Sequence, residues 1–271
     1  MTIIVQISDM HVADPDTPSD DLLHQADRLA TAVDWINRLQ PQPDAVLATG
    51  DLVDHFQPSQ YQRLRSILTR LDMPFYLMMG NHDHRQNLRE AFPDHAYLGT
   101  DDFVQYTVEN LGVRIIALDT QVTGKTEGAL CTSRLDWLDA RLSEQFDRPT
   151  IVALHHPPFA SGVVQMDAHG LMTGREELAG ILDRHPQIER VVIGHIHRPM
   201  TTLFGGRLAM TCPSTSHQIA LQVGRADGVG IVDEPPACLI HVWRPPHGLV
   251  SHLVPVGAFP ALADVDLRRG H

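Results

Sequence analysis

The feature that most constrains this chain is the stretch at residues 48–54, ATGDLVD, which directly follows the apolar run at 45–47. The apolar run predicts a buried strand, and the polar residues predict a loop at its end. Gly50 can turn the backbone tightly, which leaves the carboxylate of Asp51 free to point beyond the sheet edge. An aspartate after a glycine also fits an ordinary turn. Four other predicted strands end in the same kind of residue, and this repetition favours one shared site over five separate turns.

Strands and helices alternate along the first 200 residues. Apolar runs predict strands at 2–7, 45–48, 75–79, 103–109, 113–119, 150–154 and 190–193. Apolar residues at helical spacing predict helices that begin after Ser19, near Ser59, at Thr132 or Ser133, and near Arg175. This alternation is typical of parallel strands with crossover helices, and ligands gather at the carboxyl ends of such strands.

The pattern changes after residue 200 to short strands of antiparallel type. These strands are predicted at 201–204, 207–211, 238–243 and 250–254, with a hairpin turn at Gly205 and Gly206 and an irregular loop at 224–236. The long loop at 158–172 is expected to form a rim over a site. One domain is predicted for 1–271, with a core at about 1–200 and a β-rich portion at about 201–271.

Composition excludes several classes of protein. A formal net charge of −12 argues against affinity for duplex nucleic acid or for an anionic membrane surface. No apolar run reaches the roughly 18 residues of a membrane span, and no signal peptide is recognisable. The three cysteines lack the CxxC spacing of a metal or redox site, so we expect buried thiols in a cytoplasmic protein.

The predicted strand ends carry carboxylate, amide and imidazole side chains. In chain order the motifs are Asp9-x-His11, Gly50-Asp51-x-x-Asp54, Gly80-Asn81-His82-Asp83, His155-His156 and Gly194-His195-x-His197. Each motif alone fits a polar loop. Five of them converging at one sheet edge would be costly without an ion to satisfy their charges and lone pairs. Together they predict a metal site, in which histidine is the commonest ligand.

The complete set of motifs resembles the calcineurin-like metallophosphoesterases, whose motifs D-x-H, GD-x-x-D/N, GNHD, H-H and GH-x-H all occur here in order. The resemblance spans nearly the whole chain. It implies an α/β fold, the four-layer αββα metallophosphoesterase sandwich, here with a C-terminal antiparallel β portion. It also implies a centre of two metal ions.

The resemblance also implies which residues bind the two ions. One ion would be held by Asp9, His11 and His197, the other by Asn81, His155 and His195, and Asp51 would bridge both. Nitrogen and oxygen ligands without thiolate suit Mn²⁺, Fe²⁺/Fe³⁺, Zn²⁺ or Co²⁺, and they do not select one of these. Two ions about 3.5–4 Å apart would lower the pKa of a bridging water and hold the phosphorus for in-line attack.

Other residues are expected to act on the substrate or on the ligands. By the resemblance, His82 contacts the phosphate or protonates the leaving oxygen, and Asp83 is expected to orient the His82 ring. His156 and Asp54 are expected to hold the ligands in place. His217 matches a histidine that lies over the metals and contacts the substrate phosphate, although it also fits a surface loop.

Within the superfamily the chain looks most like the bacterial class III cyclic nucleotide phosphodiesterases and the related glycerophosphodiesterases. The stretches at 155–158, 165–167 and 213–218 carry this resemblance, and GNHD in place of GNHE tells against a serine/threonine phosphatase. Acidic residues at 14, 16, 20 and 21 predict an acidic mouth that favours monoanionic diesters over dianionic monoesters.

The predicted function is hydrolysis of small phosphodiesters, with glycerophosphodiesters first and 3′,5′-cyclic nucleotides as the alternative. A non-catalytic scaffold of the same fold is a more remote alternative, which a substituted ligand would indicate, and none of the seven ligand positions is substituted. The sequence leaves the native metals open, as well as whether the chain forms a homo-oligomer.

Overall fold

The computed structural model describes residues 1–259, which contain both helices and strands. The strands are β1 (Thr2–Ile7), β2 (Ala45–Ala48), β3 (Phe75–Leu77), β4 (Tyr106–Val108), β5 (Arg114–Ala117), β6 (Gly128–Ala129), β7 (Thr150–Leu154), β8 (Leu171–Thr173), β9 (Ile188–Ile193), β10 (Met200–Phe204), β11 (Arg207–Thr211), β12 (Gln218–Ile219), β13 (Ile231–Val232), β14 (Ala237–Trp243) and β15 (Leu249–Pro255). The helices are α1 (Pro18–Leu23), α2 (Gln25–Asn37), α3 (Pro58–Leu68), α4 (Arg85–Ala91), α5 (Thr132–Glu144), α6 (Val164–Asp167) and α7 (Arg175–Arg184), with a 3-10 turn at Ala96–Leu98. The predicted α/β class is confirmed.

Two mixed sheets form the centre of the fold. The first sheet has the strand order β15-β14-β1-β2-β3, and β1, β2 and β3 run parallel. The second has the order β10-β11-β9-β7-β5-β4, and its four inner strands run parallel. The parallel strands place their carboxyl ends at one edge of each sheet, where the predicted ligands follow β1, β2, β3, β7 and β9.

Alternate residues of the inner strands face two different layers. Ile151 and Ala153 of β7 pack in the same core as β1, β2, α2 and α3. Val152 and Leu154 of the same strand pack against the apolar faces of α5 and α7. Because side chains alternate between the two faces of a strand, the second sheet has the first sheet on one side and helices on the other. This packing gives the expected four-layer αββα sandwich.

Of the strands that follow β9, β10, β11, β14 and β15 divide between the two large sheets, whereas β12 and β13 pair with each other in a small separate sheet. β10 and β11 pair antiparallel, but β11 also extends the second sheet by parallel pairing with β9. β14 pairs antiparallel with both β1 and β15, and so completes the first sheet. These four strands pair antiparallel for the most part, and they are integrated into the two sheets of the sandwich rather than stacked beside them.

The single helix predicted after Ser19 is wrong, because the structure contains two helices there. His24 has a left-handed backbone (φ 49°), which ends α1 and begins α2. The N-cap of α1 is Thr17, whose hydroxyl accepts a hydrogen bond from the backbone N–H of Asp20 at 3.3 Å. The hydroxyl of Ser19 instead accepts a hydrogen bond from Gln25 at 2.6 Å, across the junction of the two helices.

Smaller differences concern loops and cysteines. The rim loop predicted at 158–172 contains α6 and reaches the start of β8, and the loop at 224–236 contains β13. Cys212 and Cys238 are buried as expected, but the expectation for Cys131 is wrong, because its side chain is exposed at the N-cap of α5.

Within residues 1–259, none of the helices has the length and apolar character needed to cross a membrane.

Candidate metal centre

Backbone hydrogen bonds bring the strand ends together at one edge of the sandwich. The N–H of Asp9 donates to the carbonyl of Gly50 at 3.1 Å, and the N–H of His11 donates to the carbonyl of Asp51 at 3.0 Å. Gly80 packs so closely that a Cβ on it would lie 2.2 Å from Oδ1 of Asp51. The loops after β1, β2 and β3 therefore form one compact unit that only glycine permits at position 80.

Strained backbone is concentrated among the predicted ligands. Within residues 1–259, the non-glycine residues with positive φ include five of the seven predicted ligands: Asp9, His11, Asp51, His195 and His197, with φ between 46° and 73°. Such conformations are uncommon outside glycine, and they persist where the surroundings enforce them. The strain indicates that these side chains are aimed at a common point rather than left in relaxed turns.

The first predicted ligand group is close-packed. Nε2 of His197 lies 3.4 Å from Oδ1 of Asp9 and 3.1 Å from Nε2 of His11. Nδ1 of His197 contacts the carbonyl oxygen of His217 at 2.8 Å, which leaves Nε2 facing the group. Asp9, His11 and His197 together form a buried set with ligand atoms close enough to share one ion.

The second predicted ligand group lies beside the first. Nδ1 of His195 is 3.1 Å from Oδ1 of Asn81, and Nδ1 of His155 contacts the carbonyl oxygen of Thr49 at 2.7 Å. This contact turns Nε2 of His155 toward Asp51. The structure thus places Asn81, His155 and His195 close together, beside Asp51.

Asp51 lies between the two groups. Its Oδ2 is 3.6 Å from Nε2 of His11 and 3.4 Å from Nε2 of His155, while its Oδ1 accepts a hydrogen bond from the backbone N–H of His82 at 2.9 Å. One carboxylate oxygen therefore faces an imidazole of each group. This is the position that a ligand shared by two ions requires.

Buried imidazole nitrogens at this site have no hydrogen-bond partner within residues 1–259, and this fits a site that binds metal ions. Among the described residues, Nε2 of His155, His156 and His195 is buried without a hydrogen-bond partner. Buried polar atoms are normally paired, and an unpaired one is costly. Imidazole nitrogen and carboxylate oxygen without thiolate are ligands that suit Mn²⁺, Fe²⁺, Zn²⁺ or Co²⁺.

Burial and neighbouring charge strongly perturb the titration of these side chains. Burial raises the pKa of Asp9 to about 7, against the opposing charge of His155. Burial opposes the charge on His155, but the facing carboxylates of Asp51 and Asp9 raise its pKa to about 9. Burial also lowers the pKa of His11 and His195 well below the usual value. Acidic and basic groups are thus held together away from water, and binding of a cation would displace their protons.

His82 lies over the two groups and borders the open cavity. Its Nδ1 contacts the carbonyl oxygen of Asp54 at 2.7 Å, and its ring packs edge-on against His11 with centroids 4.7 Å apart. Burial lowers the pKa of His82, but the charges of Asp51 and Asp54 and the bond to the Asp54 carbonyl raise it overall. Asp54 therefore orients His82 through its backbone and leaves Nε2 for other contacts.

The expectation that Asp83 orients His82 is wrong. The carboxylate of Asp83 accepts hydrogen bonds from the N–H of Leu52 at 3.2 Å, the N–H of Gly80 at 2.9 Å and the hydroxyl of Tyr61 at 3.0 Å. Burial, with the nearby charge of Asp51, raises its pKa to about 7. Asp83 joins the loops that carry Asp51 and Asn81, and Tyr61 is a supporting residue that the sequence did not reveal.

His217 borders the first ligand group from the other side. Its ring centroid lies 4.6 Å from that of His197 and 5.5 Å from that of His11. The alternative of a surface histidine is wrong, because only 9% of the residue is exposed. Burial lowers the pKa of His217 to about 3, so the ring is neutral near pH 7. Arg28, which the sequence did not single out, donates to the carbonyl of the adjacent Ser216 at 2.8 Å and supports this loop.

The position of His156 differs in part from expectation. Nδ1 of His156 contacts the hydroxyl of Thr120 at 2.7 Å, and its Nε2 faces the same group as His155 and His195. It therefore lies within reach of an ion rather than only behind the predicted ligands.

The predicted acidic mouth also differs in part from expectation. Asp20 forms an ion pair with Arg63 at 2.9 Å, and the charge of Arg63 offsets that of its carboxylate.

A cavity of about 310 Å³ opens over both ligand groups. His82 and His217 lie in its wall, with apolar side chains opposite. A volume of this size falls within the range of about 300–1,000 Å³ that small-molecule sites occupy.

Comparisons with known proteins agree with this arrangement. Residues 2–199 match the family model for calcineurin-like phosphoesterase. The chain is 34% identical over 257 residues to the "Probable glycerophosphodiester phosphodiesterase GpdQ" of Arcobacter nitrofigilis, covering 95% of this chain and 94% of that protein. It is 31% identical over 260 residues to a cAMP/cGMP dual specificity phosphodiesterase of Mycobacterium tuberculosis, covering 94% of this chain and 80% of that protein.

A likeness in fold extends to more distant structures. A dimetal phosphatase from Danio rerio superposes with a TM-score of 0.65 over 94% of this chain and 99% of that structure, at 14% sequence identity. The family model covers most of the chain, and both relatives share more than 30% of their aligned residues with it. The chain therefore belongs to the calcineurin-like phosphoesterase family.

Proposed function

We propose that this protein hydrolyses small phosphodiesters with two transition-metal ions, and that glycerophosphodiesters are its substrates. Calcineurin-like phosphoesterases use a dinuclear metal centre. The observation that carries the proposal is the position of Asp51, whose Oδ2 lies within 3.6 Å of an imidazole nitrogen of each ligand group. The relative from Arcobacter nitrofigilis, whose name specifies a glycerophosphodiester phosphodiesterase, supports the substrate class.

The proposed ligands are the seven residues described above. Asp9, His11 and His197 would hold one ion, Asn81, His155 and His195 the other, and Asp51 would bind both. Two such ions, when bound, supply an activated water and positive charge beside the phosphoryl oxygens. The donor set is compatible with Mn²⁺, Fe²⁺/Fe³⁺, Zn²⁺ and Co²⁺.

The reaction consumes one water for each diester. An oxygen from water forms a new bond to phosphorus, the bond from phosphorus to one alcohol oxygen breaks, and the departing alcohol takes up a proton. His82 is suited to donate that proton, because the carbonyl of Asp54 fixes its Nδ1 and its ring borders the cavity. General acid catalysis of this kind is worth about 10²–10⁴-fold.

His217 has a different proposed role. Its ring is neutral and borders the cavity beside His11 and His197, so it can donate a hydrogen bond to a phosphoryl oxygen. Such a contact holds the phosphate in both the ground state and the transition state. His217 is therefore proposed to bind and position the substrate rather than to transfer a proton.

The second candidate function is hydrolysis of 3′,5′-cyclic nucleotides. The relative from Mycobacterium tuberculosis, which aligns with 94% of this chain, is named for cAMP and cGMP. A cytoplasmic location, a homo-oligomer and the absence of a nucleic-acid or membrane partner stay predictions.

A kinetic comparison tests the proposed function. The protein, loaded with Mn²⁺, is assayed with glycerophosphoethanolamine, cyclic AMP and a phosphomonoester. We expect the highest kcat/KM for glycerophosphoethanolamine. A higher kcat/KM for cyclic AMP would favour the second candidate, and preference for the monoester would contradict a phosphodiesterase of either kind. Turnover of none of the three would favour the scaffold.

A further inference from the structure

A second, larger cavity meets the first one at His82. Its volume is about 810 Å³, against about 310 Å³ for the cavity over the ligand groups. Four residues line both cavities: Asp54, Asn81, His82 and Thr126. The two cavities are therefore neighbours at the side chain that is proposed to act on the leaving oxygen.

The two cavities border different parts of the centre. The smaller cavity is lined by His11, Asp51, His195 and His197, together with Met166, Ile219 and Ile231. Of the seven proposed ligands, Asn81 is the one that lines the larger cavity, beside His82, Asp54 and Asp83. Asp51 thus borders the smaller cavity, and His82 lies where the two cavities are neighbours.

The geometry of in-line displacement indicates which part of the substrate each cavity would hold. The attacking oxygen and the leaving oxygen lie on opposite sides of phosphorus, and under the proposed function the activated water would lie on the side of Asp51. The leaving alcohol then points away from Asp51, past His82 and into the larger cavity. The other ester arm stays with the phosphate in the smaller cavity.

The side chains that line the larger cavity fit a polar leaving alcohol. The larger cavity is lined by hydroxyl, amide and charged side chains, including Thr100, Asp101 and Thr123, with the exposed ring of Phe56 at its edge. Arg85, which also lines it, is paired with the buried Asp119 at 2.6 Å and so adds little free charge. Such a wall suits a polar alcohol of head-group size.

We propose that the larger cavity is the subsite for the leaving alcohol, and that the smaller cavity holds the retained ester arm. The inference rests on the proposed phosphodiesterase function and narrows its substrate class to acyclic diesters with two separate arms. After the bond from phosphorus to the alcohol breaks and the alcohol is protonated, the alcohol leaves through the larger cavity.

Two tryptophan variants test the two subsites separately. Thr100 is exposed in the wall of the larger cavity, and Ile231 is 54% exposed in the wall of the smaller one. Thr100→Trp and Ile231→Trp are assayed with methyl p-nitrophenyl phosphate and bis(p-nitrophenyl) phosphate. The two substrates share one leaving group and differ in the retained arm, which is small in the first and large in the second.

We expect Thr100→Trp to lower kcat/KM by about tenfold for both substrates, because both must place p-nitrophenol in the larger cavity. Ile231→Trp is expected to lower kcat/KM more for the bis(p-nitrophenyl) ester than for the methyl ester. The matched control is Thr201→Trp, an exposed position on β10, which should change neither value. Inhibition by inorganic phosphate, which has no ester arm, should be equal in all three variants and the unmodified protein.

Loss confined to the bis(p-nitrophenyl) ester in Thr100→Trp would overturn the proposal, because the larger cavity would then hold the retained arm. Equal activity of Thr100→Trp and Thr201→Trp on both substrates would also overturn it. If Thr100→Trp does not fold, Gln86→Trp supplies the same test from another exposed position in the wall. Failure of the unmodified, metal-loaded protein to hydrolyse either diester would instead contradict the proposed function.

Discussion

Removal of the Asp83 carboxylate should destabilise the fold strongly, because that carboxylate satisfies three buried donors. The donors are the N–H groups of Leu52 and Gly80 and the hydroxyl of Tyr61. A buried donor left without a partner costs about 1–3 kcal/mol. Entry of water into the vacated space offsets part of this loss, so we expect Asp83→Ala to lower the free energy of unfolding by about 3–6 kcal/mol.

Tyr61→Phe provides an internal check on that magnitude. The Tyr61 hydroxyl donates to Asp83 at 3.0 Å and accepts from the N–H of His84 at 2.7 Å. Its removal should lower the free energy of unfolding by about 1–3 kcal/mol. Because the two side chains share one hydrogen bond, the double variant should lose less than the sum of the single variants.

The assay is urea denaturation with a chelator present, so that bound metal does not add to stability. Asp147→Ala is the matched control, since Asp147 is exposed, and its free energy of unfolding should change by less than about 0.5 kcal/mol. A loss below about 1 kcal/mol in Asp83→Ala would refute the reasoning that this carboxylate holds the two loops together.

Three further predictions concern single side chains. His82→Ala should lower kcat by about 10²–10⁴-fold on a glycerophosphodiester and much less on bis(p-nitrophenyl) phosphate, with metal content unchanged, and equal losses on both substrates would rule out proton donation. His217→Ala should raise KM more than it lowers kcat, because a phosphate contact is present before and during reaction, whereas a loss in kcat alone would contradict a binding role. Partial desolvation raises the pKa of Cys131, but hydrogen bonds with Ser133 and Arg134 outweigh it and lower the pKa to about 7. Since the thiolate is the reactive form, the rate of its alkylation by iodoacetamide should rise with pH through a midpoint near that value and then level off, and a midpoint near 9 would contradict the lowered pKa.

The sequence predicted the limits of an element correctly where a proline or a glycine lies next to it. The strand at 150–154 has the predicted limits, because two prolines follow soon after its end, and the helix at 175–184 begins where predicted, directly after a glycine. The motifs at the strand ends also identified side chains that the structure brings together, since parallel strands share an edge.

Contacts between distant segments could not be predicted from the sequence. Two of the three donors to Asp83, Tyr61 and Leu52, lie 22 and 31 positions away, so its role in joining loops depends on the assembled fold. The left-handed backbone of His24, which divides α1 from α2, carries no glycine or proline signal. The division of the C-terminal strands between two sheets likewise depends on long-range pairing, such as β14 with β1.

Metal stoichiometry tests the central claim most directly, because the shared position of Asp51 requires two ions. The purified, metal-free protein is titrated with Mn²⁺ by calorimetry, and bound metal is then counted by elemental analysis. We expect two ions per chain in the unmodified protein. Asn81→Ala, which removes one neutral ligand, should keep one tight site and weaken the other, whereas Asp51→Ala should weaken both sites and abolish activity. Saturation at one ion per chain, or two unaltered sites in Asp51→Ala, would contradict the account.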